Sequence, residues 1–569
     1  KFRQNISASV NIIVILPLQF QKTNMLKRSI FFYMLLISVV LTGCAKRGGI
    51  TGGPKDTIPP VMVGSLPKNM STNFTGKEIR IDFDEYIKVK DISKQLIISP
   101  PLKYQPDIVP MGSASKFISI KIKDTLPENT TYNFNFGQSI TDNNEGNPYT
   151  QFRFVFSTGP YIDSLRVNGE IKDAHDIKTD NFVTVMLYEA NEKFNDSTIY
   201  KEKPLYVTNT LDSLKLFSIQ NIKAGKYHLF AMKDVAKNYV YNPKSDKLAY
   251  LGAPLNVPND TLFRLELFKE KLPFASQKPE LVSSNRWYIP YEGSGARKII
   301  ASVKNAVTGA EVRSRITAEK NKDSLNLWLP RGIKDSLKLA VEQPGGQKLY
   351  TLKYKELKAA DSLTVDAVQK GGLHYTERFT LKTSTPIDNI DLAKISFVNK
   401  DSVAVPFKHT YNDFEQEIIF DFNRTENEKY KMRLLPGALT DFYGKKNDTL
   451  TYKLATKPYT DYGNLYLELK NIKRFPVIVE LTNEKGEVLV SAYSEKETKI
   501  DFKLLEPREY IIRLIYDDNK NREWDTGDYL KKLQPEEVIY KMDEKNPENI
   551  KKIDVRAIWD FSEFIDGGG

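Results

Sequence analysis

IRIDFDEYIKVKD, residues 79–91, sets Ile79, Ile81 and Phe83 against Arg80, Asp82 and Asp84 in strict alternation. Side chains of a strand point to opposite faces with a period of two, so the pattern buries one face and wets the other. The signature returns in Tyr132, Phe134 and Phe136 between Asn133 and Asn135, and in Phe152, Phe154 and Phe156 around Arg153 and Val155. One-sided strands of this kind build packed antiparallel sheets. Helical periodicity is missing outside an apolar stretch near the N-terminus. The expected class is all-β, and the roughly 525 residues beyond that stretch exceed one sandwich, so tandem β-sandwich domains are predicted.

Composition narrows the function. Apolar residues make up 40% of the 569 and aromatics 11%, enough for several hydrophobic cores. The single cysteine, Cys44, allows no intramolecular disulfide, so those cores must carry the stability. Five basic and no acidic residues precede Cys44, so the formal charge of +11 falls to +6 beyond it. That charge is too weak and dispersed for nucleic acid.

Cys44 closes FFYMLLISVVLTGC, residues 31–44, which follows Lys27, Arg28 and the start-like Met25. A charged segment and about a dozen apolar residues are laid out as a secretory signal, too short to span a bilayer comfortably. Leu41-Thr42-Gly43-Cys44 resembles the lipobox of bacterial lipoproteins. The resemblance implies a covalent lipid on Cys44, cleavage before it, and anchoring to the outer membrane; two or more acyl chains make a stable anchor. Residues 1–24 then read as an upstream extension outside the mature protein, 25–43 as signal peptide, and 44–57 as a flexible tether. Surface-export signals favour acidic residues after the cysteine, and Lys46 and Arg47 depart from that, which leaves the membrane face open.

Residues 58–160 carry a set of motifs similar to the bacterial Ig-like domain of surface proteins (SbsA type). The set comprises DTIPP from Asp56, IRIDFDEYIKVKD, ENTTY, ITDNNEGNP and a closing FRFVFSTG. The resemblance implies a structural and adhesive role. ENEKYKMRLLPGALTDFYG, residues 426–444, parallels ENTTYNFNFGQSITD, residues 128–142, and predicts a second Ig-like domain over 372–460. VNGEIKDA (167–174), VTVMLYEA and FSIQNIKAGKYHLFAMKD (217–234) resemble the carboxypeptidase-regulatory or transthyretin-like β-sandwich, expected over 161–270. At a constant offset of 283 residues Tyr227 meets Tyr510, Asp234 meets Asp517, Lys237 meets Lys520 and Asn238 meets Asn521. A second transthyretin-like sandwich is therefore expected over 461–563, with a β-like segment of no assigned family over 271–371 between the pairs. Repeats of domain size signal tandem architecture.

Catalytic signals are weak. His175, His228, His374 and His409 are the only histidines, and none sits in HExxH or beside a nucleophile motif. His228, in an alternating strand, is expected to be a sheet residue. Small tandem sandwiches rarely offer the cleft of a paired-carboxylate glycosidase, so no enzyme is expected. The best local constellation is YDDNKNREWDTGDY, residues 516–529. Asp517, Asn519, Asn521, Asp525 and Asp528 hold positions 1, 3, 5, 9 and 12 of an EF-hand-like loop, oxygen ligands for calcium. Arg522 stands where such a loop wants glycine, and Ala236 faces Asn519 in the first copy. The competing reading is an Asx-rich turn whose side chains cap backbone N–H groups.

Asp followed by Ser or Thr recurs in a pattern resembling the O-glycosylation motif of exported Bacteroidota proteins. The implied acceptors are Thr57, Thr125, Ser164, Ser197, Ser213, Thr261, Ser324, Ser336, Ser362, Ser402 and Thr449. Such dipeptides also favour turns before strands. Trp287, Trp328, Trp524 and Trp559, scattered singly, read as core or interface anchors, with sugar stacking as the alternative. Together these features predict a non-enzymatic outer-membrane lipoprotein, an extended scaffold binding a protein partner of a larger outer-membrane complex. The alternative is a glycan-binding surface lipoprotein.

Overall fold

The strand Glu78–Val89 buries Ile79, Ile81, Phe83, Ile87 and Val89 and exposes Glu78, Arg80 and Asp84, as its alternation requires. It pairs antiparallel with Ser115–Lys121, Ile79 opposite Ile120, and on its other side with Met62–Leu66. A second sheet of Ile97–Ser99, Thr131–Asn135 and Arg153–Ser157 faces it across a core of isoleucine and phenylalanine. Tyr132 stacks on Phe156 at 5.4 Å and Phe136 on Phe152 at 5.6 Å. Each such side chain contributes about 1.5–3 kcal/mol by leaving water.

These strands belong to a computed structural model that describes residues 55–211, 215–320, 322–355, 357 and 361–568. Cys44, the expected signal peptide and Ser213 lie outside the described residues. The regular structure of the described chain is almost all strand, its one α-helix being the four residues Ile92–Gln95.

Among the described residues, five modules built on two facing sheets follow one another, the fourth with an added two-stranded sheet of Ile387–Ile390 and Leu439–Asp441. The second joins Tyr206–Asn209, Thr184–Glu189, Gly225–Lys233 and Lys247–Tyr250 in one sheet, with Leu255–Val257 also on Gly225–Lys233. Its other sheet is Leu216–Ile222, Leu165–Asp173 and Leu262–Leu267, the last pair parallel. The fifth repeats this strand for strand. Val488–Ser494, Val477–Thr482, Arg508–Tyr516 and Val538–Tyr540, with Lys552–Val555, face Lys499–Leu505, Gly463–Lys470 and Asp560–Asp566, again with a parallel last pair. The likeness reaches single bonds: Tyr227 donates to Lys223 O at 3.1 Å and Tyr510 to Glu506 O at 3.0 Å.

The fourth module likewise echoes the first. Phe379–Thr383, Glu417–Asp421 and Lys408–Asn412 stand opposite Ile395–Val398, Lys429–Leu434 and Leu450–Ala455. Buried Asp142 and Asp441 organise matching turns, Asp142 accepting from the backbone N–H of Glu145 at 2.7 Å and Asp441 from that of Lys445 at 2.8 Å. Val365–Ala367 and Gly371, which the sequence assigns to the central segment, pair into these sheets, so the fourth module begins earlier than expected. The fifth also runs past residue 563, because its parallel edge strand continues to Asp566. The third module packs Trp287, Ile289, Val303, Leu325, Leu327 and Leu339 between two sheets of its own.

Two expectations fail, both through contacts between modules. Asn133 and Asn135, placed on a wet face by their alternation, are buried, because the second module covers that face. Asn133 Nδ2 donates to Asn221 Oδ1 at 2.8 Å, and Ser99 Oγ accepts from Val207 N–H at 3.1 Å. The extended string is also wrong: the fifth module packs on the second, nearly 300 residues earlier. Tyr529 of the fifth is 2% exposed and joins Phe230, Tyr250 and Phe268 in one apolar cluster.

Candidate functional site

The turn after Gly225–Lys233 and its counterpart after Arg508–Tyr516 start alike. Asp234 Oδ2 accepts from Tyr239 N–H at 2.8 Å, and Asp517 Oδ2 from Arg522 N–H at 2.9 Å, the same bond at the 283-residue offset. Tyr239 and Arg522 both take the left-handed backbone, at φ 62° and 68°. Arg522 therefore occupies without glycine the conformation that calcium loops usually give to glycine.

Four of the five predicted oxygen ligands meet. Asp517 is fully buried and its Oδ1 accepts from Asn521 N–H at 3.1 Å. Asn519 Nδ2 and Asn521 Nδ2 both donate to Asp525 Oδ2, the latter at 2.5 Å. Burial works to raise the Asp525 carboxyl, but these amides and the Lys271 ammonium outweigh it and hold the pKa below the ordinary value. Asp528 stands apart. Its Oδ1 accepts from Lys531 N–H at 3.0 Å and its Oδ2 pairs with Lys531 Nζ at 2.7 Å, so it caps a separate turn. Among the described residues no group of three or more His, Cys, Asp or Glu is placed to hold a metal ion.

Sequence reasoning missed the carboxylates that tie both loops. Buried Asp246 accepts from Val235 N–H at 3.1 Å and from Asn242 N–H at 2.9 Å. Glu536 accepts from Asp518 N–H at 2.8 Å and from Asp525 N–H at 2.9 Å. Asp518 and Asp525 are the 283-offset equivalents of Val235 and Asn242, so Asp246 and Glu536 do one job. Their own separation is larger. Asp246 follows Asn242 by four positions, but Glu536 follows Asp525 by eleven. The second loop therefore carries seven extra residues ahead of its closing carboxylate. Burial, then the charges of Asp517 and Asp525, push the Glu536 carboxyl up.

The lengthened stretch reaches the second module. Asp528 and Leu533 bond reciprocally through their backbones at 2.9 Å, folding the stretch into a small hairpin with Tyr529 at its root. The Tyr529 ring meets Tyr250 at 5.2 Å and Phe230 at 5.6 Å, both edge-on. Tyr529 N–H donates to Glu270 Oε1 at 2.7 Å, Tyr250 O–H to Leu533 O at 3.0 Å, and Thr526 O–H to Lys269 O at 2.8 Å. Lys532 pairs with Asp196 at 2.5 Å. A Cβ at Gly527 would come within 2.7 Å of the Phe268 ring, so this close approach needs glycine.

The remaining candidates scatter. His228 lies in its sheet and stacks on Phe194 at 4.0 Å, His175 packs on Trp524 at 4.5 Å, and His374 Nε2 contacts Leu504 O at 2.7 Å. His409 lies in the strand Lys408–Asn412 of the fourth module. Trp287 and Trp328 are core residues, and Trp524 Nε1 donates to Glu536 O at 3.0 Å. Trp559 is 57% exposed and stacks against Phe561 at 6.2 Å. Thr57, Thr125, Ser164, Thr261, Ser362, Ser402 and Thr449 are exposed, whereas Ser197, Ser324 and Ser336 are half-buried.

No curated protein matches the chain. Among solved structures, the S-layer protein rSbsC aligns at 11% identity over 82% of this chain and 68% of its own, with a TM-score of 0.15. A fragment of Escherichia coli alpha-2-macroglobulin spanning domains MG0-NIE-MG1 aligns at 11% identity over 43% of this chain and 92% of its own, TM-score 0.16. Titin domains z1z2, solved in complex with telethonin, align at 11% over 33% and 96%, TM-score 0.12. Such scores lie far below those of a shared whole-chain arrangement. The first module is placed by sequence: residues 56–158 match the family model of the bacterial Ig-like domain.

Proposed function

We propose that the chain is a non-enzymatic outer-membrane lipoprotein, a multi-domain scaffold that serves as an accessory subunit of a larger complex in transport, secretion or barrel assembly. The observation that supports this most is the docking of the fifth module on the second through Tyr529. Two modules docked on each other present their surfaces together, which lowers the ordering cost of binding a partner. The Ig-like first module fits such a role. In this reading the second and fifth modules are transthyretin-like, and the lipid on Cys44 holds the assembly at the membrane. Affinity purification from solubilised outer membranes tests it, with a stoichiometric protein partner as the expected result. A lone monomer counts against it. Cys44→Ser should abolish lipid attachment and leave the modules folded.

Trp559 supports a second reading, glycan binding at the cell surface. Its exposed ring lies stacked with Phe561 at an interplanar angle of 26°, a geometry on which a sugar face can lie. Trp559→Ala should abolish retention on glycan-coated resin if that reading holds.

A further inference from the structure

A strand at the edge of a sheet offers unpaired N–H and C=O groups to any strand that meets it, and bulges, prolines and charges discourage such pairing. Several long edges of this protein are blunted in that way. Met62–Leu66, Leu216–Ile222, Val488–Ser494 and Lys499–Leu505 each border a sheet, and each pairs with a break in register. One edge of the third module is different. Its sheet runs Ala301–Asn305, Leu337–Gln343, Gly346–Leu352, and the last strand keeps unbroken register over its seven residues. That strand holds no proline, and its one charged side chain is tied back, Lys348 Nζ donating to Ser276 O at 2.7 Å.

Hydrogen bonds fix which way its backbone points. Glu342 N–H donates to Ile300 O at 2.9 Å, so the even-numbered residues of Leu337–Gln343 bond toward Ala301–Asn305. Direction alternates along a strand, so Leu337, Leu339, Val341 and Gln343 bond the other way, to Leu352, Tyr350, Lys348 and Gly346 opposite them. The N–H and C=O groups of Gln347, Leu349 and Thr351 therefore point outward, and among the described residues no strand pairs on that side. The same three side chains are exposed, Leu349 by 70%.

These three residues complement themselves. Laid antiparallel on a second copy and centred on Leu349, the strand sets Leu349 against Leu349 and Gln347 against Thr351. Each opposed pair exchanges two bonds, so every outward N–H meets an outward C=O and none is left over. Lys348 falls opposite the second copy's Tyr350, and no like charges meet. Moving the centre to Lys348 sets lysine against lysine, which is unfavourable. Moving it to Tyr350 carries Gln347 to Lys353, past the last paired residue, Leu352.

We propose that the chain forms a two-fold dimer in which Gly346–Leu352 pairs with the same strand of a second copy, joining two third-module sheets into one. Such a contact is closed: it uses up the edge on both copies and goes no further. A single strand pair is a small interface, so the association is weak and depends on concentration. The dimer goes beyond both functional readings above and rests on neither.

Sedimentation equilibrium of the purified full chain, from about 1 to about 300 µM, tests it. A monomer–dimer equilibrium is expected. Leu349→Lys, at a position the monomer leaves exposed, opposes two lysines at the centre and should weaken the dimer at least tenfold. In a Cys44→Ser background with added oxidant, Leu349→Cys should form a disulfide-linked dimer, because opposed residues of a bonded pair lie about 5.5 Å apart at Cα. Gln347→Cys should link at less than a tenth of that rate, since its own copy lies about 13 Å further along the strand. A chain that stays monomeric throughout overturns the proposal and leaves this edge to a foreign strand. A dimer that Leu349→Lys leaves unchanged overturns it too, as does Gln347→Cys linking as fast as Leu349→Cys.

Discussion

The loops that close the second and fifth modules share an opening and differ in their ending. Each begins with a buried aspartate holding the amide five residues on, and each ends on a carboxylate that grips the same two backbone N–H groups. In the first loop the closing residue, Asp246, follows four positions after Asn242, with nothing inserted between them. In the second, seven added residues intervene, and they carry the side chains that dock on the other module. A repeated fold has turned one copy of a turn into a clasp without disturbing the hydrogen bonds that define it.

The clasp should fail first and most heavily at Tyr529. Tyr529→Ala removes a buried aromatic at a cost of about 3–5 kcal/mol. Hydrogen exchange should quicken in Lys247–Tyr250 of the second module while the fifth module's own Arg508–Tyr516 stays protected. Unchanged protection at Lys247–Tyr250 would mean that the added residues are ornament.

Asp246→Ala and Glu536→Ala probe the shared part. Each leaves two amides without acceptors, at about 1–3 kcal/mol per group, and the two losses should be similar when measured by calorimetry. A loss below about 1 kcal/mol in one variant alone would break the equivalence of the loops.

Calcium sharpens the difference. If the second loop binds it, calcium at a hundredfold excess over Kd should add about 2.7 kcal/mol to the fifth module and nothing to the second, and Asp517→Ala should erase the gain. If Asp517 serves only as a turn residue, calcium has no effect and the same variant costs about 1 kcal/mol. The second outcome accords better with the backbone bonds that Asp517 already accepts and with Asp528 turned to Lys531.

The smallest effect is on acidification, and it differs in sign between the loops. Burial raises the Asp234 carboxyl, so its contribution favours folding at low pH and is lost as pH rises through the folded value. Asp525 and Asp528 lie below the ordinary 3.8, so what they contribute is present above that value and lost as pH falls below it. Glu536, raised, opposes them in part. Trp524 emission should therefore shift to the red below pH 3.8, and Asp525→Asn should remove the shift.

Much of this fold was legible from the chain because its signals are local. Ile79, Ile81 and Phe83 reveal a strand by period alone, and the 283-residue offset reveals the repeat because the matching stretch has no gap. The offset fails after Asp525, where the added residues begin, and Glu536 is hidden behind them as one glutamate among many. Asn133 misled for another reason. Periodicity reports which side chains share a face, and it is silent on what another module lays over that face. The contact between Tyr529 and Phe230 leaves no trace in either neighbourhood, since each residue reads as an ordinary aromatic of its own segment.

The Tyr529 contact also has a consequence in time. A ribosome finishes the second module long before it reaches Tyr529, and at 5–20 residues per second the interval is roughly 13–52 s. Through that interval Phe230, Tyr250 and Phe268 lack the ring that covers them in the finished protein. The newborn chain thus passes through a sticky adolescence whose length is set by the distance to its own C-terminal loop, and whatever escorts it must hold on until that loop arrives.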